Sequence, residues 1–163
     1  MEIAIIVAID QQSAIGNKGD QLAYISADLK RFKQLTTGYA IIMGRKTFEA
    51  LPKGALPNRQ NIVITHNKNL QLDNCTVVHS TKDAIEAAEN KEKIFIIGGG
   101  EIYKTFLPLA TNIYFTHILH RFKEADTFFP KIKAEEWMEV EKTEILIDQK
   151  TGLNYSYQTL KKK

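Results

Sequence analysis

The sequence holds one cysteine, Cys75, so no disulfide can form within the chain. That usage fits a reducing cytoplasm. No apolar run is long enough to span a bilayer, and the first residues lack the basic segment and cleavage site of a secretory leader. His79, His117 and His120 have no metal-ligand spacing with carboxylates or cysteines, so no metal is expected. The net charge is only +3, part of it in the solvated end Lys161-Lys162-Lys163. Nucleic acid is therefore not an expected partner. Internal repeats, linkers and low-complexity tracts are absent.

What is present suits one domain with one core. The chain has 163 residues, 44% of them hydrophobic and 25% charged. These values describe an ordinary globular domain covering residues 1–163. The organising stretch is Ile94-Phe95-Ile96-Ile97-Gly98-Gly99-Gly100-Glu101-Ile102-Tyr103. A continuous apolar run reads as a strand buried on both faces, as in the middle of a parallel sheet. Three glycines follow, and Ile102, Tyr103, Phe106 and Leu107 then recur at helical spacing. Strand, glycines and helix together bring amide N–H groups close to a phosphate.

Glu2 to Ile9 reads as a central strand. Asp10 to Gly19 is polar and turn-rich, and a loop of that length without its own structure is usually functional or mobile. Ser26 is placed to cap a helix over Ala27 to Leu35, with Leu29, Phe32 and Leu35 inward. Further strands are expected at Ala40 to Met43, Asn61 to Thr65, Thr76 to His79, Ile94 to Ile97 and Ile113 to Ile118. Short helices are expected from Arg45, from Ser80 or Thr81 through Ala88, and from Glu101 to Leu107. Trp137 to Glu144 and Leu153 to Leu160 alternate and flank a turn at Asp148 to Gly152, which predicts an antiparallel hairpin near the sheet edge. The alternation of strands and helices predicts an α/β fold with a mostly parallel sheet.

Two strands end in glycine before a helix, at Met43-Gly44-Arg45 and at Ile97-Gly98-Gly99. In open α/β sheets, ligands bind at the carboxyl ends of strands. Two such ends can hold two parts of one phosphate-bearing ligand, although each alone is also a plain tight turn. The G-x-G-x-x-G fingerprint is absent, so a standard Rossmann reading is not supported. Arg45 and Lys46 open a helix, where anions are favoured, or they are simply a solvated helix start. Asp28 lies in a first helical turn, with Phe32 one turn on. It either complements the helix dipole or binds an amidine-like N–C–N group in a pocket. Arg59 either clamps a carboxylate or is a surface arginine. Cys75 reads as an inert, partly buried thiol and Trp137 as packing.

These pieces in this order resemble dihydrofolate reductase of the bacterial chromosomal type, over nearly the whole chain. The matching motifs are Ile41-Ile42-Met43-Gly44-Arg45-Lys46-Thr47-Phe48-Glu49 and Leu56-Pro57-Asn58-Arg59-Gln60-Asn61-Ile62-Val63-Ile64-Thr65. They continue with Ile97-Gly98-Gly99-Gly100-Glu101-Ile102-Tyr103 and Ala125-Asp126-Thr127-Phe128-Phe129-Pro130. Ala8, Ile15-Gly16 and Ala27-Asp28-Leu29 fall in register with them. The resemblance implies an eight-stranded, mostly parallel mixed sheet with an antiparallel C-terminal strand and about four helices. It also implies a monomer that uses NADPH to reduce 7,8-dihydrofolate, an antifolate target of one-carbon metabolism.

By the same resemblance, Asp28 is the catalytic carboxylate that holds the pterin, with Thr116 hydrogen-bonded behind it. Ile6, Val7, Phe32, Leu51 and Tyr103 line the substrate site, and Arg59 binds the glutamate α-carboxylate. Ala8, Ile15 and Gly16 meet the nicotinamide end. Gly44, Arg45, Lys46 and Thr47 hold phosphates, with Thr65 and His66 near the adenosine 2′-phosphate. Gly98, Gly99, Gly100, Glu101 and Ile102 form the remaining cofactor edge, with a cis peptide between Gly98 and Gly99.

One segment departs from the family pattern. In Leu22-Ala23-Tyr24-Ile25-Ser26-Ala27-Asp28, Ala23 stands where the family commonly has tryptophan, and Ser26 where it has proline. The change bears on loop closure and proton delivery and leaves the carboxylate in place. Two other readings remain open at this point. One is a reductase of a riboflavin-pathway pyrimidine, and the other a nucleotide-binding protein without catalysis. Asp28, Phe32 and Arg59 together favour a pterin with a glutamate tail.

Overall fold

The computed structural model describes residues 1–163, and every apolar run singled out above becomes a strand of one sheet. In chain order the elements are β1 (Glu2–Ile9), β2 (Ala14–Asn17), β3 (Asp20–Gln21), α1 (Ser26–Thr36), β4 (Ala40–Gly44) and α2 (Arg45–Glu49). Next come β5 (Gln60–Ile64), β6 (Cys75–Val78), α3 (Thr81–Ala87), β7 (Lys93–Gly98) and α4 (Gly100–Phe106). The chain ends with β8 (Asn112–Ile118), β9 (Thr127–Phe128), β10 (Trp137–Lys142), β11 (Leu146–Ile147) and β12 (Asn154–Lys162). The main sheet runs β10-β12-β8-β1-β7-β4-β5-β6, and the short β11 folds back onto β12. Pairs from β8 through β6 are parallel, whereas β12 is antiparallel to both β8 and β10. This is the mixed sheet with an antiparallel last strand that the resemblance implies.

The central strands are apolar on both faces because both faces are covered. Alternation sends Ile5, Val7, Ile42, Ile94 and Ile96 into one core, with Phe106 of α4. It sends Ala4, Ile6, Ile41, Met43, Val63 and Phe95 into the other, where Phe32 and Leu35 of α1 pack. The α3 helix starts as expected: the Ser80 hydroxyl accepts from the Asp83 amide, satisfying a donor that the helix leaves free. The peptide between Gly98 and Gly99 is cis.

Four local expectations are corrected. Asp10 to Gly19 is not a bare loop: β2 pairs with β3 and with β9, forming a second, small sheet. One of its two partners, β9, lies more than a hundred residues away, so no local pattern announced that pairing. Ser26 is the first helical residue rather than the cap; Ile25 holds that position and makes no side-chain cap bond. Leu29 is 42% exposed. The α1 helix rests on the core through Phe32, Leu35 and the buried Thr36, and Leu29 lies one turn before that packed face. Finally, the Asp148 to Gly152 turn joins β11 to β12, and β10 pairs with the later half of β12. Strand ends otherwise shift by one or two residues; Thr65, for example, falls just past β5.

Candidate active site

Three parallel strands end side by side. In the β4 register, Met43 is opposite Gly98 of β7 and Gly44 is opposite Ile64 of β5. The sequence-selected glycines and Thr65 therefore share one end of the sheet, where open α/β folds bind ligands. α2 and α4 start there, and neither start has a side-chain cap: Gly44 and Gly99 occupy the cap positions. Their first amide N–H groups are left for an outside acceptor.

The backbone is also bare where those starts meet. A Cβ on Gly98 would lie 3.5 Å from the Thr47 hydroxyl oxygen, and one on Gly99 would lie 3.4 Å from it. A Cβ on Gly44 would press to 3.2 Å from Ile102 Cγ1. Gly44, Thr47, Gly98, Gly99 and Ile102 are thus one cluster, and a side chain at any of these glycines would fill part of it. This is the backbone access that a diphosphate-bearing cofactor requires, so the residues present fit such a group. Arg45 stands at the rim, 3.1 Å from Glu49. Lys46 and Glu101 are exposed, and so is His66, which follows the buried Thr65. No bond ties the His66 side chain to the cluster.

The carboxylate lies on the opposite side of β1. Asp28 occupies the first turn of α1, and its Oδ1 accepts a 2.6 Å hydrogen bond from the Thr116 hydroxyl on β8. Thr116 is 3% exposed. Burial raises the Asp28 pKa above its ordinary 3.8, while the Thr116 bond and the Arg31 charge pull it down. Asp28 is thus a partly buried, hydrogen-bonded carboxylate in the first turn of α1. Ile6, Phe32 and Leu51 belong to one apolar cluster on this face. Tyr103 is buried on α4 and donates a 2.8 Å hydrogen bond to the Ile6 carbonyl, linking the glycine cluster to β1. Burial drives its phenol pKa far up. Val7 points into the other core, so its backbone is what it offers on this side. Ala8 is the Cα partner of Thr116.

Arg59 is a fixed group, not a free surface arginine. Its Nε donates to the Pro57 carbonyl at 2.9 Å and its Nη1 to the Thr36 hydroxyl at 3.2 Å. Partial burial lowers its pKa. Ile15 and Gly16 are brought over α4 by the small sheet: Ile15 Cδ1 lies 3.9 Å from the Cβ position of Gly100. The Asp126 carboxylate accepts from the Lys18 amide at 2.8 Å, and the Gly16 carbonyl accepts from the Asp126 amide at 3.0 Å. Asp126 thereby staples the early loop to the segment after β8.

Several neighbours escaped the sequence reading. Arg31 lies three residues after Asp28, a spacing that places both on one helix face. Tyr157 sits on β12 directly opposite Thr116. Only the strand register reveals the second. In the departing segment, Ala23 packs against the cluster of Ile25, Ile118, Tyr155 and Tyr157, and the Tyr24 hydroxyl bonds to Asp20. Cys75 is half-buried, and burial together with Asp73 raises its thiol pKa, which fits an unreactive group.

The chain matches the family model described as dihydrofolate reductase over residues 2–162. It is 40% identical over 157 residues to a dihydrofolate reductase of Staphylococcus haemolyticus, covering 96% of this chain and 93% of the relative. It is 38% identical over 161 residues to the enzyme of that name from Bacillus subtilis, covering 99% and 95%. Among solved structures, it superposes on dihydrofolate reductase from Enterococcus faecalis complexed with NADP(H) and RAB-propyl. There the TM-score is 0.90 and the identity 33%, covering 99% of this chain and 96% of the other.

Proposed function

The chain belongs to the dihydrofolate reductase family of NADPH-dependent oxidoreductases, and from that premise we propose that it reduces 7,8-dihydrofolate to 5,6,7,8-tetrahydrofolate, with hydride added at C6 and a proton at N5. The observation that carries this reading is Asp28, a partly buried carboxylate held by Thr116 one helical turn from Phe32. A carboxylate so placed accepts two parallel hydrogen bonds from an N–C–N edge, here the 2-amino and N3 groups of the pterin. Oδ1 keeps a second lone pair after the Thr116 bond, and Oδ2 is open.

Each part of the substrate then has a counterpart. Ile6, Phe32 and Leu51 give the ring an apolar wall, and Tyr103 holds the Ile6 carbonyl in place. The Arg59 guanidinium, oriented by Thr36 and Pro57, keeps donors for the glutamate α-carboxylate. The uncapped starts of α2 and α4, with Gly44 to Thr47 and Gly98 to Ile102, would hold the cofactor phosphates and the adjoining chain. Thr65 and His66 would face the 2′-phosphate. NADPH, when bound, supplies the hydride. Asp28 sits at the N–C–N edge, away from N5, so its role is to orient the pterin and stabilise its cationic form while water delivers the proton. Ile15 and Gly16, held over α4, exclude bulk water from the reacting carbons.

The test is absorbance-monitored NADPH oxidation with dihydrofolate, in the wild type and in Asp28→Asn. We expect turnover in the wild type and loss of most of it in the variant at neutral pH. A folded wild type that leaves NADPH unoxidised in the presence of dihydrofolate would overturn the reading. A near-wild-type Asp28→Asn would remove Asp28 from the mechanism.

A further inference from the structure

We propose that Arg31, held over the ring of Tyr157, is a positioning residue for Asp28 whose charge favours the ionised form of the carboxylate that meets the substrate. The inference rests on the role given to Asp28 above and adds a residue to which no function has been assigned.

Arg31 has an unusual placement for a helix arginine. Its Cζ lies 4.0 Å from the centroid of the Tyr157 ring, so the guanidinium covers the ring face. Tyr157 is 9% exposed. Its ring is itself fixed by an edge-on contact with Tyr155, with centroids 5.7 Å apart. The stack holds the guanidinium over a buried ring instead of letting it extend into water. Arg31 forms no ion pair within 4 Å; the bridges in the structure are Arg45–Glu49, Lys82–Glu86 and Lys93–Glu2. Its charge is therefore not neutralised by a surface partner.

Three elements close on the carboxylate. Asp28 and Arg31 share one face of α1. Thr116 of β8 donates to Asp28, and Tyr157 of β12 is the Cα partner of Thr116. From β1, the neighbour of Thr116 is the uncharged Ala8. The titratable and charged groups around Asp28 are thus Arg31 on its own helix and Tyr157, with Tyr155 behind it, on β12. A positive charge at that spacing favours the carboxylate form against the burial that favours the acid. The Asp28 and Arg31 charges act on the Tyr157 phenol in opposite senses, as expected for groups sharing one corner.

The experiment is a titration of the Asp28 carboxyl carbon by 13C NMR in the ligand-free protein, beside the pH profile of kcat/KM. Wild type is compared with Arg31→Gln, Arg31→Lys, Tyr157→Phe and Tyr157→Leu. Arg31→Gln should raise the Asp28 midpoint, and the kcat/KM profile should move in the same direction. Arg31→Lys, which keeps the charge, and Tyr157→Phe, which keeps the ring, should stay near wild type. Tyr157→Leu should move the midpoint the same way as Arg31→Gln, by less. An unchanged midpoint in Arg31→Gln, or an equal shift in Arg31→Lys, would overturn the proposal. The titration needs no turnover. An inactive wild type would therefore sink the functional reading, whereas an unmoved midpoint in an active enzyme would sink only the role of Arg31.

Discussion

Replacing Thr116 by valine isolates one hydrogen bond at the centre of the site. Threonine and valine have nearly the same shape, and Thr116 is 3% exposed, so packing around β8 is retained. What disappears is the 2.6 Å donation to Asp28 Oδ1. Hydrogen bonds to charged groups contribute about 1.5–3 kcal/mol. Asp28 is partly exposed, so water can replace the lost donor, which places the loss near the lower end. About 1.4 kcal/mol is a factor of ten. Thr116→Val should therefore reduce kcat/KM for dihydrofolate roughly tenfold. It should also move the pH profile upward, because the hydroxyl lowers the Asp28 pKa. The melting temperature should fall by about 3–6 °C, as about 1 kcal/mol shifts a domain of this size by 2–4 °C. Fluorescence titration with dihydrofolate completes a double-mutant cycle with Asp28→Asn. If Thr116→Val keeps kcat/KM within about twofold, or loses the same affinity in the Asp28→Asn background, the bond does not act through Asp28 and the reasoning fails.

Two further outcomes follow from the geometry. Burial raises the Asp28 pKa in the folded state above the unfolded value of 3.8, so the ligand-free fold binds that proton more tightly. Stability then falls as pH rises from the unfolded pKa to the folded one, and the penalty is complete above the latter. Ligand-free Asp28→Asn should consequently melt higher than wild type at neutral pH, with the difference vanishing near pH 3.8; equal melting curves at pH 7 would contradict it. A Cβ on Gly100 would lie 2.8 Å from Thr127 Cγ2. Gly100→Ala should cost about 1–3 kcal/mol by overpacking and weaken NADPH binding in a direct titration. Adding Thr127→Ser, which removes the obstructing methyl, should restore both, and failure to do so would dismiss the steric account.

Strands buried on both faces were legible without the structure, because a doubly covered strand must be apolar throughout, as in Ile41-Ile42-Met43 and Ile94-Phe95-Ile96. The glycine breaks at Gly44 and Gly98 were legible for a similar local reason: each ends such a run directly before a helix. Asp28 and Arg59 were visible as candidates, each with a bland alternative beside it. Each is held by a bond to a distant residue, Thr116 for one and Thr36 for the other, which no local pattern shows.

The remaining errors share a cause. β2 needed Thr127 and Phe128 as partners, and the start of α1 was left without a side-chain cap although Ser26 has the chemistry for one. Leu29 satisfied the helical period yet lies beyond the packed face. By itself the sequence determined which segments are strands, where they break, and which family the chain resembles, because burial and backbone freedom leave local marks in residue type. Only the tertiary structure decided that α1, β8 and β12 meet around one carboxylate. Asp28, Thr116 and Tyr157 are far apart along the chain, and their meeting is set by strand order and register, which no local pattern encodes.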